Sequence, residues 1–271
     1  MPELPEVETT VRGLVLVLRG RRIAGVRANR PDLRHPFPAD LGQRLTGATV
    51  TGLGRRAKYG LVDTDRGDTL VFHLGMSGRW RVDPDGGDKH DHLVIETDDG
   101  RAVALNDPRR FGFVDLHATA DLAAYPPFAA MGPEPLGPDL SAAHLRRAFE
   151  RRTAPVKAML LDQRVVAGLG NIYVCEALHM ARIAPSRPAG LIAAARLERL
   201  VDAIREVLAA AIEAGGSTIR DYAQPDGRLG RFADRWRVYG REGEPCGCGA
   251  AVRRRAEGGR STFWCPACQR G

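Results

Sequence analysis

Apolar and polar positions follow two different spacings along the chain, which divide it into a strand-rich part and a helical part. Residues 22–117 contain short β-rich runs separated by Gly, Asp and Pro, a pattern typical of a sandwich or barrel. Ahead of them, apolar residues at helical spacing predict a first helix with a buried stripe of Val7, Val11, Leu14 and Leu18. Five prolines within residues 126–138 then indicate a linker.

The residues after the linker predict helices followed by a short hairpin. Ser141 is placed to cap one helix, and a long amphipathic helix ends before the glycine pair Gly215 and Gly216. The chain is therefore predicted to contain a β domain at 1–125, a linker at 126–139, a helical domain at 140–235 and a cysteine-containing module at 236–271.

The first ten residues, MPELPEVETT, are only partly explained by a helix start. Pro5 fits the first turn, where its missing N–H would be unpaired anyway, and Glu6 and Glu8 suit the positive end of the helix dipole. Pro2 and Glu3 precede the predicted helix, so they need another explanation.

The charge and the choice of basic residue narrow the possible partners. A net charge of +7 permits a nucleic-acid partner without requiring one. Of the 40 basic residues, only Lys58, Lys89 and Lys157 are lysine. Each marks either a place that needs a compact, titratable amine or a chance survival, and the composition alone leaves both interpretations open.

The start of the chain has no membrane or export signal. Its longest uncharged apolar run, Leu14 to Leu18, is too short to cross a bilayer, and a signal-peptide leader and cleavage site are missing. We therefore expect a cytoplasmic protein that contacts no membrane, whose five cysteines do not form a disulfide framework.

Four cysteines near the end of the chain have metal-ligand spacing. Two pairs separated by sixteen residues favour a tetrahedral zinc site with four thiolate ligands, Cys246, Cys248, Cys265 and Cys268. A redox pair or ordinary buried thiols are the alternatives. Cys175 lies apart in an apolar segment and is predicted to be a core residue. The arginines between the two pairs are placed to face phosphates.

Two turns carry large side chains that are poor core material. Met76 lies in HLGMSG, and Arg109 and Phe111 lie in NDPRRFGF. Such residues either act as wedges that enter a base stack or pack beneath their own loops, and the sequence does not decide between the two.

Taken together, these motifs resemble the formamidopyrimidine-DNA glycosylase family. PELPEVE, GRRAKY, HLGMSG, KHDH, NDPRRFG, AGLGNIY, GGST, VYGR and the cysteine hairpin occur in the family's order, from Met1 to Arg270. The resemblance implies an α+β fold: an N-terminal β-sandwich with flanking helices, then a helix–two-turn–helix domain with a zinc-finger hairpin that holds one structural Zn²⁺.

The resemblance also implies a function. A member of this family flips an oxidised purine, 8-oxoguanine or a formamidopyrimidine, out of the duplex, cuts the glycosidic bond and nicks the strand by β,δ-elimination. The expected partner is double-stranded DNA containing an oxidised base or an abasic site, bound by a monomer at the bacterial nucleoid.

By the same resemblance, four residues are catalytic. Pro2, freed by removal of Met1, is the nucleophile, and Glu3 is the general acid. Lys58 corresponds to the lysine assigned to β-elimination, and Arg260 to the arginine assigned to δ-elimination. Because an arginine pKa lies above 12, we expect Arg260 to act electrostatically rather than as a proton donor.

The remaining matched residues are expected to contact DNA or the lesion. Phosphate-binding positions are matched by His90, Arg152 and Asn171. The trio that fills the gap left by the flipped base is matched by Met76, Arg109 and Phe111. Positions at the lesion pocket are matched by Lys157, Ser217 and Thr218, with Glu6 as a supporting carboxylate.

One departure from the family pattern concerns the metal site. The family spaces its first cysteine pair C-x-x-C, whereas here Cys246 and Cys248 are separated by Gly247 alone, which puts the geometry of this knuckle in question. Two other functions remain possible: an endonuclease VIII-like relative that prefers oxidised pyrimidines, and a zinc-finger DNA-binding protein without catalysis. The intact Pro2-Glu3 pair argues against the second, because binding alone needs neither residue.

Overall fold

The computed structural model describes residues 1–218 and 222–270. Contacts divide the chain into two units, Met1–Ala129 with Ala214–Arg231, and Ala130–Glu213 with Phe232–Gly271. This division differs from the predicted one in residues 214–231, which belong with the N-terminal unit rather than with a helical domain at 140–235.

The N-terminal unit is built from two four-stranded antiparallel sheets and a helix that contributes to their core. Its strands are β1 (Ile23–Ala28), β2 (Val50–Arg56), β3 (Tyr59–Thr64), β4 (Asp68–His73), β5 (Arg79–Val82), β6 (Asp91–Thr97), β7 (Ala102–Asn106) and β8 (Phe113–Ala118). One sheet has the order β1-β6-β7-β5 and the other β2-β3-β4-β8. Phe72 of one sheet meets Trp80 of the other edge-on, with ring centroids 5.5 Å apart. The predicted sandwich is therefore present.

The described residues of this unit contain the helices α1 (Leu4–Leu18), α2 (Leu41–Leu45) and α3 (Pro126–Ala129). A 3-10 helix spans Thr119–Ala124. α3 lies at the start of the predicted linker, where Phe128 is buried edge-on against Tyr59, with the ring centroids 5.2 Å apart. Aromatic packing therefore holds the first residues of the proline-rich segment to the β domain.

The residue directly before α1 is tied to the first turn of that helix. Glu3 is the N-cap of α1, and it forms a capping box with Glu6, in which each side chain faces the other's backbone N–H. The Glu3 N–H donates to Glu6 Oε2 at 2.8 Å. Pro2 and Glu3 are thus fixed by the first turn of the helix.

The second unit is helical and ends in a two-stranded hairpin. It contains α4 (Ala142–Phe149), α5 (Val156–Leu161), α6 (Asn171–Met180), α7 (Ala194–Glu213), β9 (Arg253–Glu257) and β10 (Arg260–Trp264), with 3-10 turns at Ala189–Leu191 and Phe232–Arg235. The predicted cap at Ser141 is confirmed, because its hydroxyl accepts from the His144 N–H at 3.1 Å. In the described part of the chain, no helix combines the length and apolar character needed to cross a membrane.

His73, at the end of β4, is held as a neutral imidazole. Its Nδ1 accepts from the Gly75 N–H at 3.0 Å, and its ring stacks on Phe113 with centroids 5.5 Å apart. Burial lowers the pKa of His73 from 6.5 to about 4, with the positive charges of Lys58 and Arg34 contributing to the shift. Protonation of this side chain therefore opposes folding.

This depressed pKa predicts that acid destabilises the N-terminal unit through His73. Between about pH 6.5 and pH 4 the unfolded chain binds a proton at this position that the folded chain does not, so stability present above pH 6.5 is lost as the pH falls. The loss reaches about 3 kcal/mol for this group. Urea unfolding at pH 7 and pH 4.5 should show a smaller acid-induced loss in His73→Asn, whose side-chain oxygen can still accept from Gly75. An equal loss in both proteins would contradict this assignment.

Candidate functional site

Glu6 lies at the centre of the candidate active site at the chain's N-terminus. Pro2, Glu3 and Glu6 are all buried, and Glu6 is only 2% exposed. Its Oε2 accepts from the Glu3 N–H at 2.8 Å and its Oε1 from the Ser217 N–H at 2.7 Å. A single carboxylate therefore joins the start of the chain to a segment more than two hundred residues later.

The predicted pocket residues Ser217 and Thr218 lie in this second segment. Gly216 has a φ of +83°, and a Cβ there would lie 3.0 Å from Glu6 Oε1, so glycine permits the close approach. The Thr218 hydroxyl donates to the Tyr222 carbonyl at 2.9 Å and accepts from the Gly230 N–H at 2.8 Å. The structure thus brings Ser217 and Thr218 to the same unit as Pro2, Glu3 and Glu6.

Tyr222 adds a further contact to the same helix. Its hydroxyl donates to the Glu6 carbonyl at 3.1 Å. Burial raises the pKa of Tyr222 well above its usual range, so the phenol stays protonated and keeps donating.

Lys58 lies in the turn between β2 and β3, also in the N-terminal unit. It is mostly buried, and the preceding Ala57 adopts a φ of +52°. Arg55 stabilises this turn by donating from Nη1 to the Ala57 carbonyl at 2.9 Å. The positive charge of Lys58 contributes to the lowered pKa of His73, which places the ammonium close to the β4 end.

The turns that carry the predicted wedge residues meet beside one another. The Arg109 guanidinium lies over the Phe111 ring, 4.8 Å from its centroid. Phe111 is 46% exposed and Met76 is half-buried. Phe111 therefore projects from its loop rather than packing beneath it, and its role as a wedge stays a prediction.

His90 lies in the loop before β6. Its N–H donates to Asp88 Oδ1 at 2.8 Å, and its carbonyl accepts from the Asp107 N–H at 3.0 Å. The imidazole is half-buried, with its ring centroid 6.0 Å from that of His92. The backbone of His90 is therefore tied to the loop that carries Arg109 and Phe111.

Asn171 and Lys157 both bind the C-terminal hairpin. Asn171 begins α6 and donates from Nδ2 to the Ser261 carbonyl at 2.8 Å. Lys157 is 2% exposed, and its Nζ donates to Thr262 Oγ1 at 2.7 Å and to the Ser261 carbonyl at 3.2 Å. Burial lowers the pKa of Lys157. These contacts tie Lys157 to the hairpin within the second unit, and its role at the lesion pocket stays a prediction.

Two predicted arginines are exposed in the second unit. Arg260 begins β10 directly after Gly258 and Gly259, both of which have positive φ. Arg152 lies between α4 and α5. Within residues 1–218 and 222–270, neither guanidinium forms an ion pair, which leaves both available to an external anion.

The four predicted metal ligands are clustered. The sulfur atoms of Cys246, Cys248, Cys265 and Cys268 all lie within 4.8 Å of one another. The Cys246–Cys268 and Cys248–Cys265 sulfur separations are 3.9 and 3.5 Å. Tetrahedral zinc with Zn–S bonds near 2.3 Å requires sulfur separations of about 3.8 Å, so the residues present fit this metal.

The shortened C-x-C knuckle closes through backbone hydrogen bonds. The Gly249 N–H donates to the Cys246 carbonyl at 2.8 Å, and the Cys246 N–H donates to the Ala250 carbonyl at 2.8 Å. Gly249 has a φ of +86°, which favours glycine there. A hydrogen bond from the Ala250 backbone lowers the pKa of Cys248, whereas burial raises the pKa of Cys246. Cys175 is not one of the four clustered sulfur ligands; it is fully buried in α6, as predicted for a core residue, in the same hydrophobic core as Cys246 and Cys265.

Two family models match the chain. Residues 1–114 match the formamidopyrimidine-DNA glycosylase N-terminal domain, and residues 131–223 match the formamidopyrimidine-DNA glycosylase H2TH domain. The formamidopyrimidine-DNA glycosylase of Rhizorhabdus wittichii is 72% identical over 270 residues, and that of Novosphingobium aromaticivorans 67% identical over 270 residues; each alignment covers 100% of both chains.

Solved structures match over the whole chain as well. A complex between a Lactococcus lactis Fpg variant and DNA containing Fapy-dG has a TM-score of 0.92 at 36% identity, covering 100% of each chain. The MutM (Fpg) protein of Thermus thermophilus has a TM-score of 0.89 at 41% identity, covering 99% of this chain and 98% of that one. The α+β fold class expected from the sequence is confirmed.

Glu176 is a residue that sequence reasoning missed. It is 1% exposed on α6, and its carboxylate accepts from the N–H groups of Arg237, Val238 and Tyr239 at 2.9, 3.0 and 2.8 Å. Burial raises the pKa of Glu176 even though these hydrogen bonds oppose the shift. The signal for it was a single carboxylate in an otherwise apolar helical segment, NIYVCEALHM.

Replacing Glu176 by Gln should loosen the segment that leads into the cysteine module. The Gln amide has one acceptor oxygen where Glu has two, and its NH₂ group would face backbone N–H groups that also donate. We therefore expect the free energy of unfolding to fall by about 2 kcal/mol or more. The thermal unfolding midpoint should fall, and trypsin should cleave faster after Arg237 and Arg241. Glu198→Gln, at an exposed position on α7, is the matched control and should change neither. Equal behaviour of the two variants would show that Glu176 does not anchor this segment.

Proposed function

This chain is an enzyme of the formamidopyrimidine-DNA glycosylase family, and we propose that it removes the oxidised purines 8-oxoguanine and formamidopyrimidine from double-stranded DNA and then cleaves the abasic site. The observation that carries the proposal is the fixed start of the chain. Pro2 lies directly before a helix whose first turn has two buried carboxylates, Glu3 and Glu6. A DNA-binding protein without catalysis needs no such arrangement.

The nucleophile is the secondary amine of Pro2 once Met1 is removed. Attack on the sugar C1′ forms an N–C1′ bond while the glycosidic bond to the base breaks, and opening of the sugar ring leaves an iminium at C1′. This iminium withdraws electrons and acidifies the C2′ proton, so the same adduct leads to strand cleavage. An unperturbed chain-terminal amine has a pKa of about 7.7–8.0, so a useful fraction of the amine is unprotonated at neutral pH.

Glu3 is the general acid that protonates the departing ring oxygen. It is adjacent to Pro2 in sequence, and its backbone N–H is held by Glu6 Oε2 at 2.8 Å. Helix α1 therefore determines where both reacting groups point. Glu6 supports them, since its two oxygens accept the backbone N–H groups of Glu3 and Ser217 and so hold the start of α1 in place.

The other predicted residues act on the leaving phosphates and on the duplex. Lys58 assists β-elimination, and Arg260 stabilises the phosphate that leaves in δ-elimination. The phosphates of the duplex are bound by His90, Arg152 and Asn171. The gap left by the extruded base is filled by Met76, Arg109 and Phe111, of which Phe111 and Arg109 already stack on each other.

The solved relatives support this choice of substrate. Lactococcus lactis Fpg has been solved in complex with DNA containing Fapy-dG and with DNA containing an abasic site. The first corresponds to the damaged base before its removal and the second to the sugar after it, which are the two stages of the proposed reaction.

The four-cysteine cluster is proposed to hold one structural Zn²⁺, with Cys246, Cys248, Cys265 and Cys268 as ligands. The metal supplies folding energy to a module that has little core of its own. Through β9 and β10, that module determines where Arg260 is presented.

Borohydride trapping on a duplex containing 8-oxoguanine tests the nucleophile. We expect a covalent adduct whose cross-linked peptide begins at Pro2. Glu3→Gln should slow base release by about 10²–10⁴-fold, the usual contribution of a general acid, while duplex affinity stays unchanged. Glu96→Gln, exposed on β6, is the control and should release base at the wild-type rate. Wild-type protein that binds the duplex without forming an adduct would overturn the proposed function.

Metal analysis tests the cysteine assignment. Protein purified without chelator should contain about one zinc per chain, as a closed four-thiolate site requires. Cys268→Ala should lose the metal and lower the unfolding midpoint, whereas Cys175→Ala should retain it because Cys175 lies outside the cluster. Retention of zinc by Cys268→Ala would contradict the four-cysteine site.

A further inference from the structure

We propose that Asp107 is a positioning residue that holds the DNA-inserting side chains Met76, Arg109 and Phe111 in one arrangement. The proposal rests on the proposed function, since it concerns how base extrusion is supported. Asp107 is 0% exposed and follows β7, at the start of the NDPRRFG segment. It inserts nothing into DNA itself.

The two carboxylate oxygens of Asp107 each hold a different turn. Oδ1 accepts from the Ser77 hydroxyl at 2.6 Å, and Oδ2 accepts from the Gly112 N–H at 2.8 Å. Ser77 follows Met76, and Gly112 follows Phe111. The Ser77 oxygen in turn accepts from the Arg109 N–H at 3.1 Å. One buried carboxylate thus fixes the neighbours of all three inserting residues.

The backbone of Asp107 extends the same connection. Its carbonyl accepts from the Arg110 N–H at 3.2 Å and from His92 Nε2 at 3.0 Å. Its N–H donates to the His90 carbonyl at 3.0 Å. The proposed phosphate-binding loop at His90 is therefore held by the same residue as the inserting loop.

The two inserting turns have no room to move independently. Gly75 has a φ of +59°, and a Cβ there would lie 2.3 Å from the Phe111 carbonyl carbon. A Cβ on Gly112 would lie 2.7 Å from the His73 carbonyl oxygen. The backbones before Met76 and around Phe111 are thus in direct contact, and Asp107 determines the register in which they meet.

The loop beyond Asp107 also adopts a conformation that needs support. Arg110 has a φ of +57°, which is uncommon for a residue with a side chain. The inserting side chains are exposed or half-buried, so they contribute little to the core that would otherwise hold the loop. A buried charge is costly unless its hydrogen bonds are satisfied, and here those bonds fix functional turns.

Asp107→Asn tests the proposal because it preserves size while replacing one acceptor with a donor. The amide cannot accept from both Ser77 and Gly112, so we expect single-turnover base release from an 8-oxoguanine duplex to fall by about 10–100-fold through misplacement of the inserting groups. Fluorescence of 2-aminopurine next to the lesion should report weaker extrusion. Cleavage of an abasic site in single-stranded DNA, which requires no extrusion, should remain within about twofold of wild type.

Two further variants keep the test decisive. Ser77→Ala removes the bridge to the Arg109 N–H and leaves the carboxylate intact, so it should show the same selective defect even where Asp107→Asn folds poorly. Asp63→Asn, whose carboxylate accepts from Thr69 on the adjacent strand, is the control and should behave as wild type.

The outcomes separate the inference from the proposed function. Wild-type release of base and normal extrusion in folded Asp107→Asn would overturn the positioning role. An equal loss on single-stranded abasic DNA would also overturn it, since a general defect is not one of extrusion. Failure of the wild-type enzyme to release base from the duplex would instead overturn the proposed function.

Discussion

The buried Glu6 carboxylate is the constraint on which the candidate active site depends. Chain termini are ordinarily among the least ordered parts of a domain. Here both oxygens of Glu6 accept backbone N–H groups, one from Glu3 in the first turn of α1 and one from Ser217. α1 also contributes Val7, Val11 and Leu14 to the core of the sandwich, so the residues at the start of the chain are anchored to that core through the helix. The nucleophile proposed at position 2 needs that rigidity.

Buried carboxylates that accept backbone N–H groups occur at several places in the chain. Glu6, Asp107 and Glu176 are all buried carboxylates that accept backbone N–H groups from irregular segments. Leaving such a carboxylate without partners would cost several kcal/mol, so each segment is strongly held where its N–H groups reach the charge. These irregular segments are thus positioned by buried charge in addition to packing, as at Val238, which is fully buried beside the Glu176 contact. The start of the chain, the inserting turns and the segment leading into the cysteine module all follow this rule.

Much of this arrangement could be predicted from the sequence where local chemistry decides it. The cap at Ser141, the helix after Pro5 and the cysteine cluster each follow from residue types at short spacing. The contacts of Glu6 with Ser217 and of Lys157 with Thr262 join residues far apart in the chain. The spacing of apolar and polar residues along the sequence does not predict such contacts. Composition likewise cannot show that Phe128, within the proline-rich segment, finds Tyr59 as a packing partner.

The structure gives a physical reason why lysine, rather than arginine, occupies one of the buried basic positions. Lys58 and Lys157 are both buried, whereas Lys89 is exposed. At Lys157 a compact ammonium donates to two oxygens of the hairpin within a closed space, and its lowered pKa shows that burial disfavours the charge. A planar guanidinium carries five donors and would leave several of them without acceptors there. The space around Lys157 therefore explains why that position holds a lysine rather than an arginine.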